Sequence, residues 1–366
     1  MKAAVCYEFG QPLVVDELDI DMPRAGEVTV RIAACAVCHS DITYIDGGWG
    51  GRLPKVFGHE AAGVVEEIGR GVDTVKRGDR VLVTLLRACG RCGVCMSGRP
   101  NICGAKFPLD REARMRNFAG VTVKQGLRTG AFAEYALVDP SQLAPIPDDI
   151  SFAAASLLSC GVITGFGAVV NTARLPAGAS AAVIGCGGVG LNAVQGAAFA
   201  GAHPLVAVDV VAAKLQTALA FGATHTVDAL EAGDNLREAV ADATGELGME
   251  FVFTAAGNPR VIEQGVKLLA PGGALVIVGM PPSGDLVSFD ATDLADTGQR
   301  ILSSKMGSAR LPVDIPKLLA LYRAGRLKLD ELISNQYPLT DINRAIDEVR
   351  GDKVLRNVIV FDWDDE

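Results

Sequence analysis

At 366 residues the chain exceeds what one hydrophobic core ordinarily organises, so two domains are expected. Its formal charge of −9 argues against a nucleic-acid partner, which needs a basic face. With 49% apolar and 21% charged residues, the composition excludes a disordered chain.

The chain opens on "KAAVCYEF", a strand-like alternation and not the long apolar core of an export signal. No apolar run reaches membrane-span length without a turn, a glycine cluster or a charge, so no membrane partner is expected and the location is read as cytoplasmic. Short runs rich in Val, Ile and aromatics follow: "LVVDEL", "EVTVRIAAC", "AAGVVEEIG", "DRVLVTLL" and "AFAEYALV". Gly and Pro separate them, as in "PRAGE" and "RGVDTVKRGD", and the series predicts a barrel-like or sandwich β domain. The run 104–129 has mixed charge and reads as a solvated loop, although Arg111, Arg114 and Arg116 could meet an anionic group.

From about Ser156 the texture changes. "SAAVIG" reads as a buried strand and "GLNAVQGAAFAGA" as a helix. "PLVAVDV", "FVFTAAG" and "GALVIVG" are further strands with helical segments between them. This alternation predicts a parallel sheet covered by helices on both faces. After about Lys305, two helices ("IPKLLALYRAG", "DINRAIDEVR") and a strand ("RNVIVF") are expected to return to the first domain, with a cleft between the domains. The boundaries are set at 1–155, 156–304 and 305–366.

Between the last strands of the β domain lies "CGRCGVCMSGRPNIC". Cys89, Cys92, Cys95 and Cys103 have the spacing C-x2-C-x2-C-x7-C. Thiols two residues apart in a Gly-bearing turn can chelate one ion, and four thiolates give a closed tetrahedral zinc site. An iron–sulfur cluster also takes four cysteines but at other spacings, and a glycine-rich loop of free thiols is the plainer alternative. Nine cysteines is an odd number, and a cytoplasmic chain keeps thiols reduced, so metal is favoured over disulfides.

"AAVIGCGGVGLNAVQ" carries Gly185, Gly187 and Gly190 as G-x-G-x-x-G between a strand and a helix, with Gly188 and Val189 inside the loop. The first glycine makes the turn, the second admits a pyrophosphate at the helix N-terminus, and the third lets helix and strand pack. Asp209 ends the next strand, placed to accept ribose hydroxyls. Its charge repels a 2′-phosphate and Val210 and Val211 offer no cation, so NAD is favoured over NADP. Cys186 reads as a small spacer, and Cys6 and Cys35 as strand packing.

Two cysteines remain, Cys38 and Cys160, and two of only four histidines lie in "AVCHSD" and "FGHEAAG". Cys38, His59 and Cys160 could supply the three ligands of an open zinc site, though each alone reads equally well as core. "CHSD" at 38–41, "GHEAAG" at 58–63, the four-cysteine lobe and "SCGVITGFG" at 159–167 together resemble the zinc-dependent medium-chain alcohol dehydrogenases, in order and over nearly the whole chain. The resemblance implies an α/β chain: a GroES-like β domain joined to a Rossmann domain with a doubly wound parallel sheet. It implies two zinc ions, a catalytic one on Cys38, His59 and Cys160 and a structural one on the four-cysteine lobe. Glu60 would be an exchangeable ligand or neighbour of the catalytic ion, and Asp41 would hold the far ring nitrogen of His59. Ser40 would take the alcohol proton. His39 and Arg356 would touch the pyrophosphate and Lys214 the adenosine ribose, while Thr164, Val189 and Val278 would flank the nicotinamide. Trp49, Leu85 and Phe132 would line the substrate pocket. Many members continue the proton relay to a histidine where this chain has Thr43, which leaves escape through ribose and water. Members form dimers or tetramers, and "GGALVIVGMPPSG" would be a candidate edge.

The resulting expectation is an NAD-dependent zinc enzyme that interconverts an alcohol and its aldehyde or ketone. The alternatives are a dehydrogenase of a polyol or a glutathione-linked formaldehyde adduct, and a zinc- and NAD-binding protein without turnover.

Overall fold

The structure, a computed structural model, describes residues 1–352 and 354–363. The chain divides into two compact units, Met1–Cys160 together with Arg310–Glu366, and Gly161–Ala309.

The first unit is built on two sheets. A seven-stranded sheet runs in the order Leu143–Pro145, Arg80–Val83, Glu60–Ile68, Val28–Ala36, Arg356–Val360 and Ile333–Pro338, with Tyr135–Val138 also on Val28–Ala36. Val28–Ala36 is almost wholly buried because it has neighbours on both sides. The C-terminal strand pairs antiparallel with it, Val358 opposite Ala36, so the tail of the chain returns to the segment that leads into Cys38. A second sheet closes as a barrel through Lys2–Cys6, Val14–Ile20, Met115–Asn117, Thr122–Gln125 and Lys55–Val56. Val5, Cys6, Val30, Ile32, Cys35, Phe57 and Phe132 share one core in this unit.

Two barrel strands come from the run 104–129, which corrects its reading as a loop. Arg114 is not solvated either. It is 4% exposed, with Nη1 donating to Glu27 at 3.0 Å and Nε to Asp21 at 2.7 Å. The acids that neutralise it lie about ninety positions earlier in the chain, beyond the reach of any local pattern.

The second unit is a parallel sheet of six strands in the order His225–Asp228, Leu205–Asp209, Ala181–Ile184, Met249–Thr254, Leu269–Ile277 and Arg300–Ser303. Numbered along the chain this is 3-2-1-4-5-6, the doubly wound order of dinucleotide-binding sheets. Leu269–Ile277 has a neighbour on each side, so "GGALVIVGMPPSG" is not an edge of this sheet; its edges are His225–Asp228 and Arg300–Ser303.

One helix, Phe152–Ala173, has the length and mean hydropathy, 22 residues and 1.9, to cross a membrane, but its apolar window is 94% buried inside the protein, as in a core helix. Its glycines had suggested breaks. Gly165 instead lets the helix approach its neighbour, since a Cβ there would lie 2.2 Å from the carbonyl oxygen of Val189. The helix widens into π-turns at Leu158–Val162 and Ala168–Ala173, and the first of these carries Cys160.

Candidate metal centre and nucleotide loop

Three segments of the first unit bring one cluster together. Cys38 ends the approach from Val28–Ala36 and precedes the helix His39–Ile45, its carbonyl accepting from the N–H groups of Asp41 and Ile42. His59 lies between Gly58, which is held at φ 89°, and the strand Glu60–Ile68. A Cβ on Gly58 would sit 2.6 Å from the Phe132 nitrogen, so only glycine lets the chain turn there. Cys160 arrives from the π-turn. Donor atoms of Cys38, His59, Glu60 and Cys160 all lie within 4.8 Å of one another, and all four residues are buried.

The details favour a metal over a dry packing cluster. His59 Nε2 is 3.3 Å from Cys160 Sγ, while Nδ1 is 3.1 Å from Asp41 Oδ1, which also accepts the Gly58 N–H at 2.9 Å. With Nδ1 carrying the proton, Nε2 presents its lone pair to the cluster. Both Glu60 oxygens are buried without a hydrogen bond, apart from an ion-pair contact of 3.3 Å between Oε1 and Arg356 Nη1. A buried carboxylate so poorly partnered is costly unless a cation joins it. The hydrogen bond with Cys160 and the neighbouring imidazole hold Cys38 well below the usual thiol range against the cost of burial. The same bond and burial push Cys160 up. Burial opposes charge on His59, but Asp41 and Cys38 outweigh it and raise the ring. Burial pushes Glu60 up to about 8, with Arg356 opposing. Two thiols and an imidazole beside a carboxylate are donors that suit zinc, which would take the place of the shared protons.

The second cluster, Cys89, Cys92, Cys95 and Cys103, also falls within 4.8 Å. Cys103 Sγ is 3.7 Å from Cys89 Sγ and 3.9 Å from Cys92 Sγ. Zinc–sulfur bonds of about 2.3 Å in a tetrahedron put sulfurs about 3.8 Å apart. Backbone N–H groups of Cys89, Cys92 and Cys95 donate to Cys103, Cys89 and Cys92 sulfurs at 3.3–3.5 Å, an arrangement that favours thiolates. N–H donors of Arg91 and Cys92 hold Cys89 down at about 6. All nine cysteines are free.

In the second unit, Gly185 (φ 94°) turns the chain from Ala181–Ile184 into the helix Gly188–Ala200. A Cβ on Gly190 would lie 1.7 Å from the Gly185 carbonyl oxygen, whereas one on Gly187 would meet nothing within 4 Å. The helix therefore packs hard on the loop at one glycine while the loop stays open at the other. Asp209 locks this corner: Oδ2 accepts the Cys186 N–H at 2.6 Å, and Oδ1 those of Val210 and Val211 at 2.8 and 2.9 Å. Lys214 is nearly buried on the following helix. Thr164 donates to the Met306 sulfur at 3.6 Å, and the Val278 N–H donates to the Thr254 carbonyl at 3.0 Å. Val189 is the second residue of the loop helix and half-buried.

Other expected residues divide. His39 is exposed and Ser40 half-buried in the first turn after Cys38. Thr43 Oγ1 donates to the His39 carbonyl at 2.9 Å. Trp49 lies edge-on to Tyr44, centroids 5.0 Å apart, and Leu85 is half-buried. Phe132, expected in the pocket, has no exposed surface and belongs to the barrel core, because the Phe57–Gly58 segment closes over it. Arg356 is 4% exposed beside Glu60 and donates to the Val37 carbonyl. Arg87, which nothing in the sequence singled out, is fully buried at the base of the cysteine lobe.

A β unit with a buried Cys/Cys/His/Glu centre and a four-cysteine lobe, together with a doubly wound unit bearing a G-x-G-x-x-G loop, defines a zinc- and dinucleotide-dependent oxidoreductase. Residues 24–148 match the alcohol dehydrogenase GroES-like domain, and residues 188–324 the zinc-binding dehydrogenase family. The chain is 36% identical to the NDMA-dependent alcohol dehydrogenase of Amycolatopsis methanolica, covering 99% of both chains. It is 33% identical to the S-(hydroxymethyl)glutathione dehydrogenase of Paracoccus denitrificans over 98% of this chain and 99% of that one. The crystal structure of benzyl alcohol dehydrogenase from Acinetobacter calcoaceticus superposes with a TM-score of 0.91 at 31% identity, covering 99% of each chain. The chain belongs to the zinc-dependent medium-chain alcohol dehydrogenase family, whose members are oxidoreductases.

Proposed function

We propose that this protein transfers hydride reversibly between a primary or secondary alcohol and NAD, with Cys38, His59 and Cys160 as zinc ligands and Glu60 beside them. The observation that carries the reading is the buried set of two thiols, an imidazole and a nearly unpartnered carboxylate within 4.8 Å. When bound there, zinc supplies a Lewis acid that lowers the pKa of an alcohol. The chain's own residues do the rest. Asp41 fixes the tautomer and direction of His59. Ser40, two residues past Cys38, receives the alcohol proton. Thr43 cannot act as a titrating relay, and its hydroxyl proton is already given to the His39 carbonyl. Asp209, fixed by three backbone N–H groups, supports NAD over NADP through repulsion of a 2′-phosphate. The four-cysteine lobe would hold the structural zinc.

A glutathione-linked or otherwise anionic substrate finds less support. Arg114, central among the cations once available for it, is spent on Glu27 and Asp21. The test is metal counting combined with nicotinamide absorbance across a panel of aliphatic, aromatic and polyol alcohols, with NAD and NADP in parallel. Two zinc ions per chain and an NAD-dependent rise with apolar alcohols are expected. Dinucleotide binding without any absorbance change would favour a non-catalytic protein.

A further inference from the structure

Leu127 and Arg128 adopt left-handed backbone, at φ 49° and 63°, without being glycine. Such residues persist only where their surroundings hold them. Here the Arg128 carbonyl accepts from Arg87 Nη2 at 2.8 Å and from Gln142 Nε2 at 3.2 Å. The Arg128 side chain lies 3.2 Å from Asp110. Arg87 is the hub: its side chain has no exposed surface, and it also donates to Gln142 Oε1 at 2.5 Å and Asp110 Oδ1 at 2.9 Å. Arg87 stands two residues before Cys89 and Asp110 seven after Cys103, so the pair closes the base of the four-cysteine lobe.

The far side of this turn rests on the segment that delivers His59. A Cβ on Gly126 would lie 2.3 Å from the Phe57 ring. The Ala131 and Phe132 N–H groups donate to the carbonyls of Gly58 and Phe57, each at 2.9 Å. The chain of contacts thus runs from the lobe through Arg87 to the strained turn, and from the turn to Phe57–Gly58–His59.

We propose that Arg87 is a positioning residue: by clamping the Leu127–Arg128 turn between the cysteine lobe and the Phe57–Gly58 segment, it sets the place of His59 in the metal cluster. The proposal rests on the reading of His59 as a zinc ligand. Lysine at 87 keeps the charge but cannot reach three acceptors with a fixed fork.

The test uses the zinc-loaded full-length protein and a chromophoric chelator, following both metal release and the decay of turnover. Arg87→Lys and Arg87→Met should release the zinc on which turnover depends about 10- to 100-fold faster, the scale seen when partners behind metal ligands are lost. The lobe zinc, whose base Arg87 also closes, should leave no faster than the zinc on which turnover depends. Leu127→Gly in the Arg87→Lys background should slow the release again, since glycine adopts the left-handed turn without strain. Should Arg87→Met fail to fold, Arg87→Lys and its double variant decide. Wild-type release in Arg87→Lys, loss of the lobe zinc with turnover retained, or absence of rescue by Leu127→Gly would each overturn the proposal. If the wild-type protein binds two zinc ions but turns over no alcohol, the functional reading fails. Metal release would still test Arg87, with assignment of the ion then resting on a Cys38→Ala control.

Discussion

Replacing Asp41 with alanine removes the carboxylate that faces His59 Nδ1. Its Oδ1 takes the Gly58 N–H at 2.9 Å and faces His59 Nδ1 at 3.1 Å, and both Asp41 and His59 have no exposed surface. In Asp41→Ala two buried donors lose their partner, at about 1–3 kcal/mol each. Stability should therefore fall by about 2–6 kcal/mol, less whatever a water entering the vacated space recovers. The zinc effect is separate: with Nδ1 unheld, the ring is free to rotate and change tautomer, which should cost about 10- to 100-fold in metal affinity. Asp41→Asn divides the two effects. Its amide oxygen can still accept both donors from the Oδ1 position, but its amide nitrogen then stands where Oδ2 lies 3.0 Å from His59 Nδ1, so stability should fall by less than in the alanine variant while zinc affinity still drops. Chelator competition gives the affinity, and thermal melts with and without excess zinc give the stability. An Asp41→Ala protein that holds both zinc ions within twofold of wild type, at full stability, would refute this account of His59.

Three further outcomes follow from the same geometry. Gly190→Ala drives a methyl to 1.7 Å from the Gly185 carbonyl, so the loop must move; NAD affinity measured by titration calorimetry should fall at least about tenfold, on the scale of an overpacked contact, and an unchanged affinity would contradict the loop's role. Cys95→Ser should lower zinc content by one ion per chain and reduce the melting temperature, whereas two retained ions would remove the lobe from the metal account. Thr43 lacks a proton that titrates near neutrality, so the wild-type log kcat against pH should show no break near about 6.5, and Thr43→His should introduce one; a break already present in the wild type would place an imidazole in the proton path.

The order of the elements was legible because period and punctuation are local. Valine-rich runs ended by Gly and Pro foretold the strands of the first unit, and "AAVIGCGGVGLNAVQ" foretold the corner at Gly185, whose positive φ and contact with Gly190 follow from chain geometry alone. The four-cysteine cluster was legible for a related reason, whereas Cys38, His59 and Cys160 were assigned through the family resemblance. Thiols at two-residue spacing have few structural uses, and the spacing itself brings Cys89, Cys92 and Cys95 within reach of one ion. The glycines of Phe152–Ala173 misled because glycine has two uses that look alike in sequence. It breaks a helix only where nothing compensates, and at Gly165 the compensation is close packing against Val189.

Charges were the least legible residues, for a physical reason. An arginine is stable inside only when its partners satisfy it, and those partners are chosen by tertiary structure and not by neighbours in the chain. Arg114 looked like one cation among several in a solvated run, yet Glu27 and Asp21 make it a tie between barrel strands and the start of the sheet. Arg87 gave no signal at all, since Asp110, Gln142 and the Arg128 carbonyl converge on it only after the cysteine lobe has folded back. Glu60 was different, because the family resemblance had already placed it beside the catalytic ion. What its residue type alone does not show is the burial that leaves both oxygens without a hydrogen bond and Arg356 at 3.3 Å from one of them. Burial there opposes the charged carboxylate, and Arg356 offsets that only in part. A cation held by the adjacent thiols and imidazole would add to that offset, so the burial of Glu60 gives a structural reason to place metal there.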